Sequence, residues 1–282
     1  MQPFLKWSFA AAGLAVALAV LLPVIVWLQS EAVIARRYPL PSTTFSASDQ
    51  AKAIERGAHL VAIAGCTDCH GQNFEGRLLV RRKIMPVWSS NLRLLAHDLT
   101  DEEFEHALRA GITPQSTSTW LMPSMDYSYM SEDDATAIIS YLRTLDARGE
   151  PAPRTTFAMP ARFAIALGDI EPIANLVLEN FASLDLGSRY DGGRYLARIA
   201  CSDCHGTDLA GSSAAPDLVD VAHYSRPDFF ALMRAGRTYD GRQLAVMSRP
   251  RFYAFHDYEI DALYDYLSAR AMALSRRKGQ PR

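Results

Sequence analysis

The chain has four cysteines, and all of them stand in two pentapeptides, Cys66-Thr67-Asp68-Cys69-His70 and Cys201-Ser202-Asp203-Cys204-His205. C-x-x-C-H is the pattern that attaches c-type haem: both thiols form thioether bonds to the porphyrin, and the adjacent histidine ligates the iron. Read this way, Cys66, Cys69, Cys201 and Cys204 hold two covalent haem c groups, with His70 and His205 as axial ligands. A zinc site fits less well, because the pairs lie far beyond the usual ~15–20-residue separation of zinc knuckles and zinc leaves both histidines unexplained. A redox C-x-x-C needs a βαβ setting that the flanks do not show. Structural disulfides would also leave the histidines without a role.

The sixth iron ligand decides whether a haem carries electrons or opens to substrate. A methionine thioether closes the site and raises its reduction potential. Met122 and Met247 are the candidates, since they occupy equivalent positions in the two halves; Met125 and Met130 lie close enough in sequence to compete for the first iron. His59, His97, His106, His223 and His256 are expected to be exposed or hydrogen-bonded rather than ligands. Each ligating histidine needs an acceptor for its other ring N–H. The Pro216 carbonyl is the candidate for His205, and Ser90-Asn91-Leu92 stands at the corresponding place in the first half. No catalytic residues are assigned, so the expectation is an electron carrier rather than an enzyme.

These residues sit in a repeated frame. Gly57 and Gly192 precede their first cysteines by equal intervals, and Gly76 and Gly211 follow them by equal intervals. Phe104-x-x-x-Leu108-Arg109-Ala110-Gly111 returns as Phe229-x-x-x-Met233-Arg234-Ala235-Gly236, and Tyr141-Leu142 returns as Tyr266-Leu267. Agreement at both ends of each half indicates duplication. Gly57 and Gly192 are expected where the first helix of a domain crosses its last. About ten extra residues in the first half fall between Arg77 and Ser90, where a surface loop or a cover over one haem edge is expected.

The periodicities predict helices and little else. Ser48 is a candidate cap for the helix leading to the first haem motif. Thr100-x-x-Glu103 is a capping-box signature for a helix ending at Gly111. Ser131-x-x-Asp134 opens a helix with Ile138, Ile139, Tyr141, Leu142 and Leu145 inward, and Ser225 and Asp257 open the corresponding helices of the second half. The predicted organisation is an N-terminal membrane anchor and arm at 1–47, a first domain at 48–146, a linker at 147–187 packed on its neighbours, and a second domain with a basic tail at 188–282.

Ser8 to Leu28 form an uncharged apolar run flanked by Lys6, Trp7 and Trp27. At ~1.5 Å per residue it matches a hydrocarbon core of ~30 Å, so a transmembrane helix is expected over 8–28. A cleaved signal is the alternative, with a run longer than the usual ~7–15-residue apolar region. Across all 282 residues, 29 Lys and Arg against 31 Asp and Glu leave no nucleic-acid footprint. The basic clusters Arg81-Arg82-Lys83 and Arg276-Arg277-Lys278 read as solvated faces or as a dock for an acidic partner.

With haem motif first, methionine later and Tyr-Leu in the last helix, each half resembles a class I cytochrome c domain. The anchor plus two domains, with Met122-Pro123-Ser124 and Ser131-Glu132-Asp133-Asp134, is similar to the membrane-anchored multihaem cytochrome c subunits of bacterial alcohol, gluconate and sugar dehydrogenases. Many of those carry three haem motifs where this chain has two, and no proline follows Met247 here. The resemblance implies a mainly α protein, with two tandem class I-like domains after one transmembrane helix. It further implies a single-pass protein of the inner membrane whose haem domains face the periplasm. Such a protein would relay single electrons among redox partners such as a dehydrogenase and a terminal oxidase or quinol-linked complex. The competing class is a di-haem peroxidase-like enzyme that reduces hydrogen peroxide at one open iron; an assembly subunit wiring a partner into the membrane shares every expected site.

Overall fold

A 33-residue helix, α1 (Gln2–Ile34), opens the chain and contains Pro23. The computed structural model describes residues 2–40, 42–43, 45–80, 84–179, 183–248 and 250–278; side chains are described from residue 13 on, apart from 14, 16, 18, 248 and those after 276. The expected span 8–28 lies within α1, but its side chains at 8–12, 14, 16 and 18 fall outside this set. Among the described residues no helix is long and apolar enough to cross a membrane. In the described stretch Val20, Leu21, Leu22, Val24, Ile25 and Leu28 are exposed. The cluster 81–83 lies outside the described residues, and in 276–278 so do the side chains of 277 and 278.

The first half continues with α2 (Ala51–Ile63), α3 (Cys66–His70), strands β1 (Leu78–Val80) and β2 (Val87–Trp88), α4 (Leu92–Asp98) and α5 (Asp101–Glu105). A π-helical turn (His106–Ala110) extends α5 to Gly111, and α6 (Ser124–Tyr127) and α7 (Glu132–Arg143) follow. The capping box is present: the Thr100 hydroxyl accepts from the Glu103 N–H, and the Glu103 carboxylate accepts from the Thr100 N–H. Ser131 caps α7 as expected, accepting from the Asp134 N–H. Ser48 is not a cap; α2 starts after Gln50, and the Ser48 N–H instead donates to Ser140 Oγ at 2.8 Å, tying the arm to α7.

The segment between the halves holds α8 (Met159–Leu167) and α9 (Ile173–Leu178). It packs, as expected, but on the first half and the N-terminal helix. Arg162 of α8 donates to Ser30 Oγ at 3.0 Å and pairs with Glu31 at 2.8 Å, burying Ser30. Tyr38 of the arm donates to Asn175 Oδ1 of α9 at 2.8 Å. The second half is α10 (Asp191–His205), α11 (Arg226–Ala235), α12 (Pro250–Tyr253) and α13 (Asp257–Lys278). Ser225 caps α11, with proline in its first turn.

Each half is built on one helix crossing, α2 on α7 and α10 on α13. In the first, a Cβ added to Gly57 would lie 1.8 Å from the Ala137 carbonyl oxygen and 2.8 Å from Tyr141 Cβ. In the second, the glycine at the crossing is Gly193, whose Cβ would lie 2.0 Å from the Ala262 oxygen and 2.7 Å from Tyr266 Cβ; Gly192 meets nothing. The expectation for Gly192 is therefore corrected by one residue. The reason is local: Gly65, with φ +73°, breaks the helix between α2 and the haem motif, whereas α10 runs unbroken through Cys201 to His205. The first half spends one residue on that break, so counting back the same interval from Cys201 goes one position too far, to Gly192.

The halves also cross each other. Helix α6 of the first packs on α10 of the second, and α12 of the second packs on α2 of the first. Their cores merge into one apolar cluster that includes Leu60, Ile63, Ile138 and Leu142 with Ile199, Ile260, Leu263 and Tyr266.

Candidate haem centres

The histidine of each C-x-x-C-H motif is oriented by a loop that returns beneath it. His70 Nδ1 is 2.8 Å from the Ser90 carbonyl oxygen, and His205 Nδ1 is 2.7 Å from that of Pro216. Pro216 is the acceptor the sequence points to; Ser90 fills the same place on the first side. A ring whose Nδ1–H is engaged this way keeps Nε2 for a metal. Burial lowers the pKa of both histidines, against the opposing pull of the carbonyl bonds, and so favours the neutral ring that iron needs.

The loops repeat in detail. Gly76 N–H donates to the His70 carbonyl at 2.9 Å, and Gly211 N–H donates to that of His205 at 2.8 Å. Phe74 and Leu209 both take φ of +62°, a conformation that non-glycine residues seldom adopt, and both are buried. Ser89 Oγ donates to the Cys69 carbonyl at 2.7 Å, and Ser212 Oγ donates to the Cys204 carbonyl. The two serines were invisible to motif reading, because the insertion shifts them out of register. In the structure that insertion is the β1–β2 hairpin, paired antiparallel through Leu78 and Trp88. It was expected as a cover, and Leu79, Val87 and Trp88 do line the cavity beneath it.

That cavity has a volume of about 640 Å³, and Cys66, Cys69, His70 and Met122 all lie on its wall. Phe104, Leu108, Tyr127, Ile138 and Leu142 make the rest largely apolar. Of the competing methionines, Met122 alone reaches the wall; Met130 is buried in the core at 1% exposure. A large apolar slot with two thiols, an oriented imidazole and a thioether fits a haem. Haem bound there would supply one-electron chemistry at iron; Cys66 and Cys69 would hold it, His70 and Met122 would supply the axial ligands, and the apolar wall would exclude water.

Burial pushes the Cys66 thiol up to about 12 and the Cys201 thiol up to about 11. Thiolate is therefore scarce at both positions in the packed chain. In the second half Cys201, Cys204 and His205 share the last turns of α10. Met247 lies partly buried in a 3-10 turn (Ala245–Ser248), packed against the shared core.

None of the other five histidines lines the cavity. His97 Nε2 is 2.7 Å from the Leu145 carbonyl oxygen, His223 packs by Tyr239, and His106 is buried near Glu102 and Glu105. His59 and His256 stack at 4.4 Å, tilted by 13°, with His59 Nε2 2.9 Å from both Glu259 oxygens. These three could be taken for a cation site. A metal must lie in the plane of each ring that binds it, and two near-parallel planes share no such point, so the trio is a clamp between the halves.

Residues 54–146 match the model of the Cytochrome c family. The match agrees with the helices and cavity of this segment and supports covalent haem c and a haem-based electron-transfer role. No curated protein matches the chain.

Proposed function

We propose that the protein is a membrane-anchored di-haem cytochrome c that relays single electrons between periplasmic or membrane redox partners. The observation that carries the reading is the recurrence around His205 of the whole cradle found around His70: the ring-to-carbonyl bond, the glycine N–H on the histidine carbonyl, the serine on the second cysteine carbonyl and the buried residue at positive φ. A duplicated cradle with the same four-part motif is suited to a second haem, and Met122 and Met247 are its proposed sixth ligands. The uncharged apolar run Ser8 to Leu28, with Trp7 and Trp27 near its ends, supports a membrane anchor, with the haem domains on the periplasmic side where c-type haem is attached. The proposed partners are a dehydrogenase as donor and a terminal oxidase or quinol-linked complex as acceptor.

The test is a haem count and ligand spectrum on the full chain, isolated from membranes of a host that matures c-type cytochromes. Two haems per chain by pyridine haemochrome, both low-spin with methionine ligation in the oxidised state, are expected. One haem, or a stably five-coordinate iron that turns over peroxide, overturns the reading. Recovery in the soluble fraction overturns the anchor.

A further inference from the structure

Helix α8 (Met159–Leu167) packs against α1. Its inward face holds Ala161 and Ile165, both buried, and Arg162, the only charged residue of the helix. Arg162 donates to Ser30 Oγ, pairs with Glu31 and lies over the Trp27 ring, 5.4 Å from its centroid. The charge of α8 is therefore neutralised on α1, and its other side carries none.

That other side is apolar and open. Met159, Phe163 and Leu167 follow one another at i, i+4 and i+8, so they form one stripe along the helix, and they are 42%, 47% and 63% exposed. Ile84, also exposed, adjoins the start of the stripe, because the Ala158 N–H donates to its carbonyl at 2.9 Å. Gly168 ends the helix, and the acidic Asp169 and Glu171 come only after it.

The contacts to α1 fix the height of α8. Ser30 and Glu31 stand just past Leu28, the end of the uncharged apolar run, at a rise of roughly 3–5 Å. Val26, inside the run, is 6% exposed, while Val24, Ile25, Trp27 and Leu28 around it are open. The burial of Val26 and the seat of Arg162 on Trp27 show that the contact extends into the run itself. A headgroup layer adds roughly 5–7 Å beyond each face of a ~30 Å hydrocarbon core. With 8–28 in the hydrocarbon, the middle of α8 falls within that layer, beside a tryptophan of the kind that favours it.

We propose that α8 is a second membrane-contacting element, seated at the headgroup–acyl boundary with Met159, Phe163 and Leu167 against lipid. The proposal rests on the membrane-anchored reading of α1 above. The occupant of the stripe is the bilayer surface, because the stripe continues, at the same height, the exposed apolar side chains of α1 that the bilayer would cover. The seating also bears on the first haem site. Ile34 at the end of α1 and Phe157 just before α8 both line its cavity, so the docked pair holds that cavity close to the membrane, with Ile34 roughly 9 Å past the end of the run.

The full-length holoprotein in nanodiscs of phosphatidylcholine and phosphatidylglycerol tests this, with part of the lipid carrying a diazirine near the glycerol end of its acyl chain. Photolysis of the wild-type protein should leave lipid adducts on peptides covering 159–167 as well as on α1, read by mass spectrometry. In a second measurement, the thiol of Phe163→Cys should react with a charged, water-soluble maleimide several-fold more slowly than that of Ser213→Cys, which stands in an exposed bend. Adducts confined to α1, with equal thiol rates, overturn the proposal and leave the anchor standing. A slow thiol in Phe163→Cys without lipid adducts on α8 means that a second copy or another protein covers the stripe, and this also overturns it. Release of the protein from host membranes without detergent overturns the proposal together with the anchor on which it rests.

Discussion

The Tyr195 hydroxyl donates a 2.6 Å hydrogen bond to Asp134 Oδ2 across the boundary between the halves. Asp134 begins α7 in the first half and also takes two bonds from Arg56, at 2.9 and 3.0 Å. Glu259 holds the equivalent position in α13 and receives His59, so the two contacts are near-symmetric copies, each joining the first helix of one half to the last helix of the other.

Tyr195→Phe should therefore lower unfolding stability by about 1.5–3 kcal/mol, the usual range for a hydrogen bond to a charged group. Urea denaturation measures the loss. Because the bond spans the halves, proteolysis within 147–187 should also quicken; an unchanged cleavage rate would show that the contact does not hold the halves together.

The helix crossings separate three glycines that look alike in sequence. Gly57→Ala and Gly193→Ala place a Cβ within about 2 Å of a backbone oxygen. Each should cost more than about 3 kcal/mol, because backbone must shift. Gly192→Ala meets nothing and should be neutral or stabilising by up to ~1 kcal/mol, as alanine suits a helix better than glycine. Thermal melts of the three variants read this directly.

Met122 and Met130 should part company in the same way. Met122→Ala should remove the methionine signature of the first haem with little loss of stability, since Met122 lies on the cavity wall. Met130→Ala should leave that spectrum intact and cost about 2–5 kcal/mol, the range for a truncated core side chain. A Met130 variant with altered ligation would reverse the assignment.

The Asp126 carboxyl is pushed up to about 8, first by burial and then by the charge of Asp203, with Arg198 opposing. A folded-state pKa above the ordinary carboxyl value means that the folded chain binds the proton more tightly than the unfolded chain does. Stability from this group is therefore fully present below about pH 4 and lost as pH rises through about 8. Denaturation at pH 5 and pH 9 should show wild type weakening across this window more than Asp126→Asn does; parallel slopes would remove Asp126 as the cause.

Much of the site was legible because its chemistry is local in sequence. Cys66, Cys69 and His70 must be near neighbours to grip one porphyrin edge, so their spacing survives as a motif, and the caps at Thr100 and Ser131 are equally local. Ser89 was hidden because a hairpin separates it from the cysteine carbonyl it serves, whereas Ser90 stands in the segment the sequence places opposite Pro216. Gly193 was missed by one position because a single helix break at Gly65 shifts the count.

By itself the sequence determined the covalent haem motifs, the duplicated frame and the mainly helical class, all of which depend on residue type at short and regular intervals. Only the tertiary structure decided how the halves meet: α6 on α10, Arg251 on Asp68, Tyr195 on Asp134 and His59 on Glu259. Those pairs lie far apart along the chain and have no periodic signature. They arise from the packing of two helix crossings against each other, and burial there gives a single charge its weight.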